Sequence, residues 1–322
     1  MNRRELLALL GLAPLAAHAQ SRKVYRVGVL ETASLRLNAE NFERFRTGLK
    51  ERGYVEGPSL VILYRSAEGQ TERFAELAVE LVKANVDLIL TRGTPATLAA
   101  RKATSSIPIV MTAVGDPVES GVAASLAKPG GNVTGLTSTA AELVPKRLEL
   151  LKALVPKMTR VAAYSNLGNV AAAATWKEIE AAARAMKLEA VLLDVRRPEQ
   201  IEPAFESARR QKADAIVVGI ETLAQSNRKA IVDLALKHKL PTIYAGREFV
   251  EAGGLMSYGV SYPDLYYRAA DYADRIFKGA RPAEMAIERP AKFAFSINRR
   301  TANALGIIIP PDLLLRADWS IG

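Results

Sequence analysis

Val86-Asp87-Leu88-Ile89-Leu90-Thr91-Arg92-Gly93-Thr94-Pro95 sets out a strand, a turn and the opening of a helix in one short stretch. A continuous apolar run bounded by turn residues is what a strand covered on both faces looks like. Thr94 then reads as a helix N-cap, with Pro95 at the first helical position. The same unit recurs along the chain. Strands are expected at Tyr25–Leu30, Leu60–Arg65, Asp87–Thr91, Ile107–Thr112 and Val133–Thr137. A second set is expected at Arg160–Ser165, Glu189–Val195, Ala215–Gly219, Thr242–Ala245 and Leu255–Gly259. Between them, amphipathic patterns predict helices over Asn41–Glu51, Thr71–Lys83, Ala141–Leu154, Ala173–Met186, Pro198–Gln211 and Leu223–Lys237. Strands alternating with helices of this length imply βαβ units and parallel sheets, hence an α/β fold.

The pattern also restarts. Val86-Asp87-Leu88-Ile89-Leu90 is echoed by Ala213-Asp214-Ala215-Ile216-Val217, and Ile107-Pro108-Ile109-Val110 by Leu240-Pro241-Thr242-Ile243. Gly130-Gly131-Asn132-Val133-Thr134-Gly135 is loosely matched by Gly253-Gly254-Leu255-Met256-Ser257-Tyr258. Two lobes of five βα units explain this better than one sheet of ten strands, which would be unusually wide. A helix (Pro263–Lys278), a proline-flanked segment (Arg281–Pro290), a strand (Phe293–Asn298) and a short helix ending near Gly306 have no counterpart in the first repeat. They are the natural candidates for crossing back between lobes as a hinge.

Met1–Gln20 reads as an address. Arg3 and Arg4 precede an apolar run, Leu6 to Ala17, that is too short to span a bilayer, and Ala17-His18-Ala19 is a small-x-small cleavage site. The pair of arginines leaves the general and the twin-arginine export routes both open. The 322 residues contain no cysteine, which excludes disulfides, thiolate metal sites and a lipid-modified cysteine after the signal. An exported chain without a lipid anchor points to the periplasm. The net charge of +10 is spread over many helices with acids between, as on a solvated surface, so a nucleic-acid partner is not expected.

Catalytic constellations are missing. Of two histidines, His18 would leave with the signal and His238 sits in Lys237-His238-Lys239 at a helix end. There is no HExxH, nucleophile elbow, P-loop or glycine-rich dinucleotide fingerprint. No catalytic residue, metal or cofactor is assigned. The polar groups worth attention lie at strand carboxyl ends, where open parallel sheets bind ligands. They are Ser34 after the first strand, Thr94 after the third and Asp116 after the fourth. In the second half they are Ser165, Asn166 and Asn169, then Glu221 and Thr222, then Arg247 and Glu248. Tyr258 and Tyr262 are candidates for aromatic walls. Together they suit a cleft for a small polar ligand.

Several motifs in order carry a family resemblance: Phe45-Arg46-Thr47-Gly48-Leu49, Gly53-Tyr54-Val55-Glu56-Gly57, Ala99-Ala100-Arg101-Lys102-Ala103-Thr104 and Ile107-Pro108-Ile109-Val110. Gly115-Asp116-Pro117-Val118, Leu126 to Gly135, Lys146-Arg147-Leu148-Glu149-Leu150-Leu151 and Pro310-Pro311-Asp312-Leu313-Leu314 continue it. From about Val24 to Ile321 the chain resembles the ABC-transporter substrate-binding proteins that include tryptophan- and tyrosine-binding periplasmic members. The resemblance implies a type I periplasmic-binding-protein fold: two Rossmann-like lobes with parallel sheets, joined by three crossovers. The expected boundaries are a signal over 1–20, a first lobe of 24–138 plus about 262–290, and a second of 139–258 plus about 291–322. It also implies a permease and its ATPase subunit as partners, a monomeric protein with no membrane insertion of its own, and possible amino-acid transport. Where aromatic-amino-acid binders carry a Gly-Glu-Asp-like turn, this chain has Gly246-Arg247-Glu248. Arg247 would there suit a ligand carboxylate, with Thr94 and Thr222 as further donors and Asp116, Glu221 or Glu248 as the acid for an ammonium.

Three rivals are weighed. A regulator's effector domain would need a DNA-binding segment before Tyr25. An exported α/β hydrolase would need a catalytic base in the cleft. A chemoreceptor's ligand module shares every feature above.

Overall fold

The computed structural model describes residues 23–219 and 221–322; Met1–Gln20, read above as a signal, lies outside them. Strands β1 (Tyr25–Glu31), β2 (Leu60–Ser66), β3 (Leu88–Arg92), β4 (Ile109–Val114) and β5 (Val133–Thr137) form one parallel sheet in the order β2-β1-β3-β4-β5. Helices α1 (Ala39–Glu51), α2 (Phe74–Lys83) and α3 (Gly93–Ala103) cover it. Every residue of β3, β4 and β5 is buried. Alternate residues serve opposite faces: Leu88 and Leu90 join the core with Phe45 and Leu49 of α1, whereas Ile89 joins Leu77, Leu81 and Ala96 of α2 and α3. The continuous apolar runs of the sequence are thus strands with both faces packed.

The second half begins with α4 (Val144–Leu154), β6 (Arg160–Ser165), α5 (Val170–Ala185), β7 (Glu189–Asp194), α6 (Ile201–Arg210) and β8 (Ala215–Val218). It continues with α7 (Thr222–Ser226), α8 (Arg228–Lys237), β9 (Thr242–Tyr244), α9 (Arg247–Glu251) and β10 (Met256–Val260). After α10 (Tyr262–Phe277) come β11 (Phe293–Asn298), α11 (Arg299–Ala304), α12 (Pro311–Leu315) and β12 (Trp319–Ile321). The second sheet runs β12-β11-β10-β9-β8-β6-β7. It is parallel except where β11 lies antiparallel to β10, so the expectation of wholly parallel sheets holds for the repeat and not for the tail.

That tail is shared. Helix α10 packs along α1, burying Tyr266, Ala269, Ala270 and Ala273 in the core under the first sheet. Gly48 permits the approach, because a Cβ there would lie 2.7 Å from Ala270 Cβ and 2.9 Å from Tyr267 O. The segment after α10 runs beside β5, where Thr134 Oγ1 donates to Met285 O at 2.7 Å and the Thr137 amide to Glu288 O at 2.9 Å. The chain then returns to the second sheet as β11 and β12. It therefore passes between the sheets three times, after β5, after β10 and before β11.

Three local expectations are corrected. Helix α3 begins at Gly93 with Arg92 as N-cap, so Thr94 lies inside the first turn and is not the cap. The helix expected over Leu223–Lys237 breaks at Asn227, whose backbone leaves helical values (φ −108°, ψ 19°) while its Nδ2 donates to Leu223 O. Helix α12 and strand β12 were not foreseen, being too short to show a period.

Candidate functional site

The carboxyl ends of the two sheets face each other across a cleft of about 910 Å³, counting the part open to solvent. Contacts between the halves close one side of it. Ser226 Oγ donates to Thr32 O at 3.1 Å, and Arg228 Nη2 to Leu37 O at 3.0 Å. Arg92, the last residue of β3, pairs through Nη2 with Glu248 Oε1 of α9 at 3.1 Å. Its other branch donates to Asn38 Oδ1, and its guanidinium lies 4.3 Å from the centroid of the Tyr262 ring. Burial works against the Arg92 charge, but the carboxylates of Glu31 and Glu248 outweigh it and hold the group above its ordinary pKa. Glu31, which accepts a hydrogen bond from Tyr266 Oη, is itself pushed up to about 7 by burial, against the pull of Arg92.

The wall built by the second sheet is rich in unmet polar groups. Glu221 occupies the N-terminal boundary of α7 without a side-chain capping bond and is 6% exposed. Its Oε1 accepts from the Asn166 amide at 2.9 Å and, weakly, from Ser165 Oγ at 3.4 Å. Its Oε2 is buried with no partner among the described residues, and so are Tyr164 Oη and both amide atoms of Gln225. All three residues line the cleft. Burial drives Glu221 up to about 7, with Asp194 adding to the rise and the Asn166 and Ser165 hydrogen bonds opposing it. Tyr164 is held above its ordinary value, first by burial and then by the Glu221 charge. Unmet buried polar groups cost free energy, and their gathering on one cavity marks a site built for a ligand. Thr222 and Asn169 line the cleft too; Asn169 caps α5, its side chain accepting from the Ala171 amide at 3.1 Å. Ala171, Ala172, Thr175 and Ile179 of α5 add a mainly apolar patch.

The first sheet's wall is more self-contained. Thr94 Oγ1 accepts from the Gly115 amide at 3.4 Å, and Ser138 Oγ donates to Val114 O at 3.3 Å. A register shift between Met111 and Val114 puts Ala113 in the left-handed region (φ 58°) and turns it onto the cleft floor. Thr32 Oγ1 is buried without a partner among the described residues.

At the base of the cleft stands Arg147 of α4, 2% exposed. Its Nε donates to Tyr258 O at 2.8 Å and its Nη1 to Ala140 O at 3.1 Å. No carboxylate among the described residues pairs with it, and burial lowers its pKa to about 10, with Tyr262 and Tyr258 opposing.

Of the residues singled out from sequence, Thr94, Ser165, Asn169, Glu221, Thr222 and Tyr262 line this one cleft. The others stand elsewhere. Ser34 Oγ accepts from the Leu37 amide within its own loop, and Thr32 lines the cleft in its place. Asp116 caps its own turn through Oδ1, on the Val118 and Glu119 amides, and borders a neighbouring pocket. The Asn166 side chain accepts from the Gly168 amide. Arg247 pairs with Glu251 at 2.8 Å and covers the Trp319 ring, so its charge is spent outside the cleft. Glu248 meets Arg92, and Tyr258 stacks on Phe293. His238, expected to be exposed, is half-buried against Phe205. Missed in the sequence were Arg92, Arg147, Tyr164 and Gln225. A signal existed for Arg147: it sits three residues after Val144 and four before Leu151, on the apolar face of α4.

A family model described as ABC transporter substrate binding protein matches residues 27–321. A tyrosine-binding protein of Clostridioides difficile (strain R20291) is 30% identical over 261 residues, which cover 81% of this chain and 75% of that protein. Among solved structures, a conserved domain protein from Vibrio cholerae superposes with a TM-score of 0.87 at 28% identity, over 92% of this chain and all of that one. An ABC domain from Streptococcus pneumonia in complex with L-Trp gives 0.86 at 28% identity, over 93% of this chain and all of that one. The ligand-free, open structure of a Clostridium difficile substrate-binding protein gives only 0.66 at a similar 26% identity, over 92% of this chain and 99% of that one.

Proposed function

We propose, from the premise that this chain belongs to the ABC transporter substrate-binding protein family, that it is the exported receptor of an amino-acid importer, with aromatic amino acids its first candidates. The family's role is binding without turnover. The observation that carries the finer reading is Glu221: a buried carboxylate on the cleft wall with one oxygen unmet, ringed by Tyr164, Ser165 and Gln225. A substrate ammonium would supply the missing donor hydrogens and the counter-charge, turning a costly buried anion into a charge-assisted pair. Relatives named for tyrosine and L-Trp support the aromatic class. The Arg247 departure from their turn does not weigh against it, because Arg247 is engaged outside the cleft.

In this reading Thr94, Ser165, Asn169, Glu221 and Thr222 meet ligand together with Tyr164 and Gln225. The first lobe comprises 24–138 with about 262–290, and the second 139–258 with about 291–322. Ligand entering an open form bridges the walls, and the crossovers absorb the closing rotation. The Arg92–Glu248, Ser226–Thr32 and Arg228–Leu37 contacts belong to the closed form, in keeping with the better superposition on the L-Trp complex than on the open structure. Closed protein then docks on a membrane permease whose separate subunit hydrolyses ATP. Export through Met1–Gln20 to the periplasm, without a lipid anchor and as a monomer, completes the proposal.

The test is a thermal-shift screen of the mature protein against the twenty amino acids and a panel of sugars and organic acids, followed by calorimetry of the hits. L-Tryptophan or L-tyrosine should raise the melting temperature most. Stabilisation by a sugar, with none from any amino acid, would overturn the reading.

A further inference from the structure

The cleft holds a second unbalanced charge, opposite in sign to Glu221. Arg147 is 2% exposed, yet it makes no ion pair among the described residues. Two of its three nitrogens are committed to carbonyls, Tyr258 O and Ala140 O. One carbonyl belongs to the segment leaving β5 and the other to strand β10 just before the chain leaves the second sheet, so the guanidinium plane is held from two sides. Its remaining nitrogen, Nη2, has no hydrogen-bond partner among the described residues, and the residue lines the cavity. A buried cation without a counter-ion is costly unless something else supplies the anion. A guanidinium is also the donor fork best matched to a planar carboxylate.

We propose that Arg147 is the carboxylate subsite of the cleft: its free nitrogen, at the hinge base, receives the carboxylate of the bound ligand. The inference rests on the amino-acid reading above and deepens it. One buried cation and one buried anion, each without an opposite charge among the described residues, line the same cavity. A ligand carrying both an ammonium and a carboxylate balances the two, whereas a neutral sugar balances neither. Because the fork is pinned to the segment after β5 and to β10, the lobes can close around the carboxylate without reorienting it, and discrimination against neutral analogues follows from preorganisation.

The experiment compares L-tryptophan with L-tryptophanamide, which keeps the ammonium and ring but removes the negative charge, in calorimetric titrations of wild type, Arg147→Gln and Arg147→Lys. Wild type should prefer the acid by about 30-fold, the range of a buried charged hydrogen bond. Arg147→Gln should lose most of that preference. Arg147→Lys, which keeps the charge and guards against a folding artefact, should keep the preference at reduced affinity. If wild type binds tryptophan and Arg147→Gln retains the full preference, the carboxylate subsite is wrong and the amino-acid reading stands. If no amino acid binds but indole-3-acetate does, and Arg147→Gln abolishes that binding, the subsite stands and the amino-acid reading falls. If neither class binds, both are overturned.

Discussion

On the wall built by the second sheet, Tyr164 Oη, Glu221 Oε2 and both amide atoms of Gln225 are buried without a partner among the described residues; on the first sheet's wall only Thr32 Oγ1 is. The two walls come from the same repeated βα unit, so the contrast is not a matter of fold. The first wall spends its polar groups on the protein itself: Thr94 on Gly115, Ser138 on Val114, and Arg92 on Asn38 and, across the cleft, on Glu248. It offers shape and a closing contact. The second wall leaves these polar groups unmet among the described residues. In the reading proposed above, such a cleft recognises chemistry on one side and closes from the other.

The largest effect should come from unbalancing the first wall. Arg92→Leu leaves the buried Glu31 carboxylate without its neighbouring cation in open and closed forms alike, and should cost about 3–5 kcal/mol, read by urea unfolding of ligand-free protein. A change under about 1 kcal/mol would show that the Arg92 pair behaves as a surface pair and that the wall is not self-contained.

Next is pH. Glu31 and Glu221 both titrate near 7 in the folded protein, raised from the usual carboxylate value chiefly by burial. A carboxyl raised on folding adds stability that is fully present below its unfolded pKa of about 4.5 and is lost as pH rises through about 7, to the extent of about 3 kcal/mol per group. Ligand-free protein should therefore lose stability between about pH 4.5 and 7. Glu221→Gln should remove its share of that slope and leave Glu31's. Ligand binding should run the other way: an ammonium needs the ionised form, so affinity should fall by about 30-fold from pH 8 to pH 5.5. Calorimetry at the two pH values checks it, and a flat profile would separate Glu221 from the ligand.

Smaller again is Tyr164→Phe, which removes one unmet hydroxyl; a loss of affinity of about 3- to 10-fold is expected from calorimetric titration. Arg247→Ala should be the mildest, with less than about threefold loss, because Arg247 stands on Trp319 and Glu251 outside the cleft. A loss beyond tenfold would return Arg247 to the site.

Much of the fold was readable because its signals are local. Ile89 between Leu88 and Leu90 needs two packed faces, and the restart near Arg160 needs a second sheet. The strand ends then located the cleft, and with it Thr94, Ser165, Asn169, Glu221 and Thr222. What sequence hid depends on distant partners. Arg247 and Glu248 are adjacent, yet one turns to Trp319 and the other across the cleft to Arg92, a choice set by which helix face meets β12 and which meets β3. Tyr164 reads as core because it packs in the core of the second half, yet it also lines the cavity. Arg147 follows Lys146, an exposed partner of Glu149, and nothing local separates the solvated cation from the buried one except its place on the apolar face.

The asymmetry of the walls is tested most directly by one pair of titrations: L-tryptophan and L-tyrosine into Glu221→Gln and into Thr94→Val, one substitution per wall. Glu221→Gln should cost about 100-fold in affinity, as the loss of a buried charged partner does, and Thr94→Val less than about fivefold. Equal losses, or a larger one from Thr94→Val, would contradict the account.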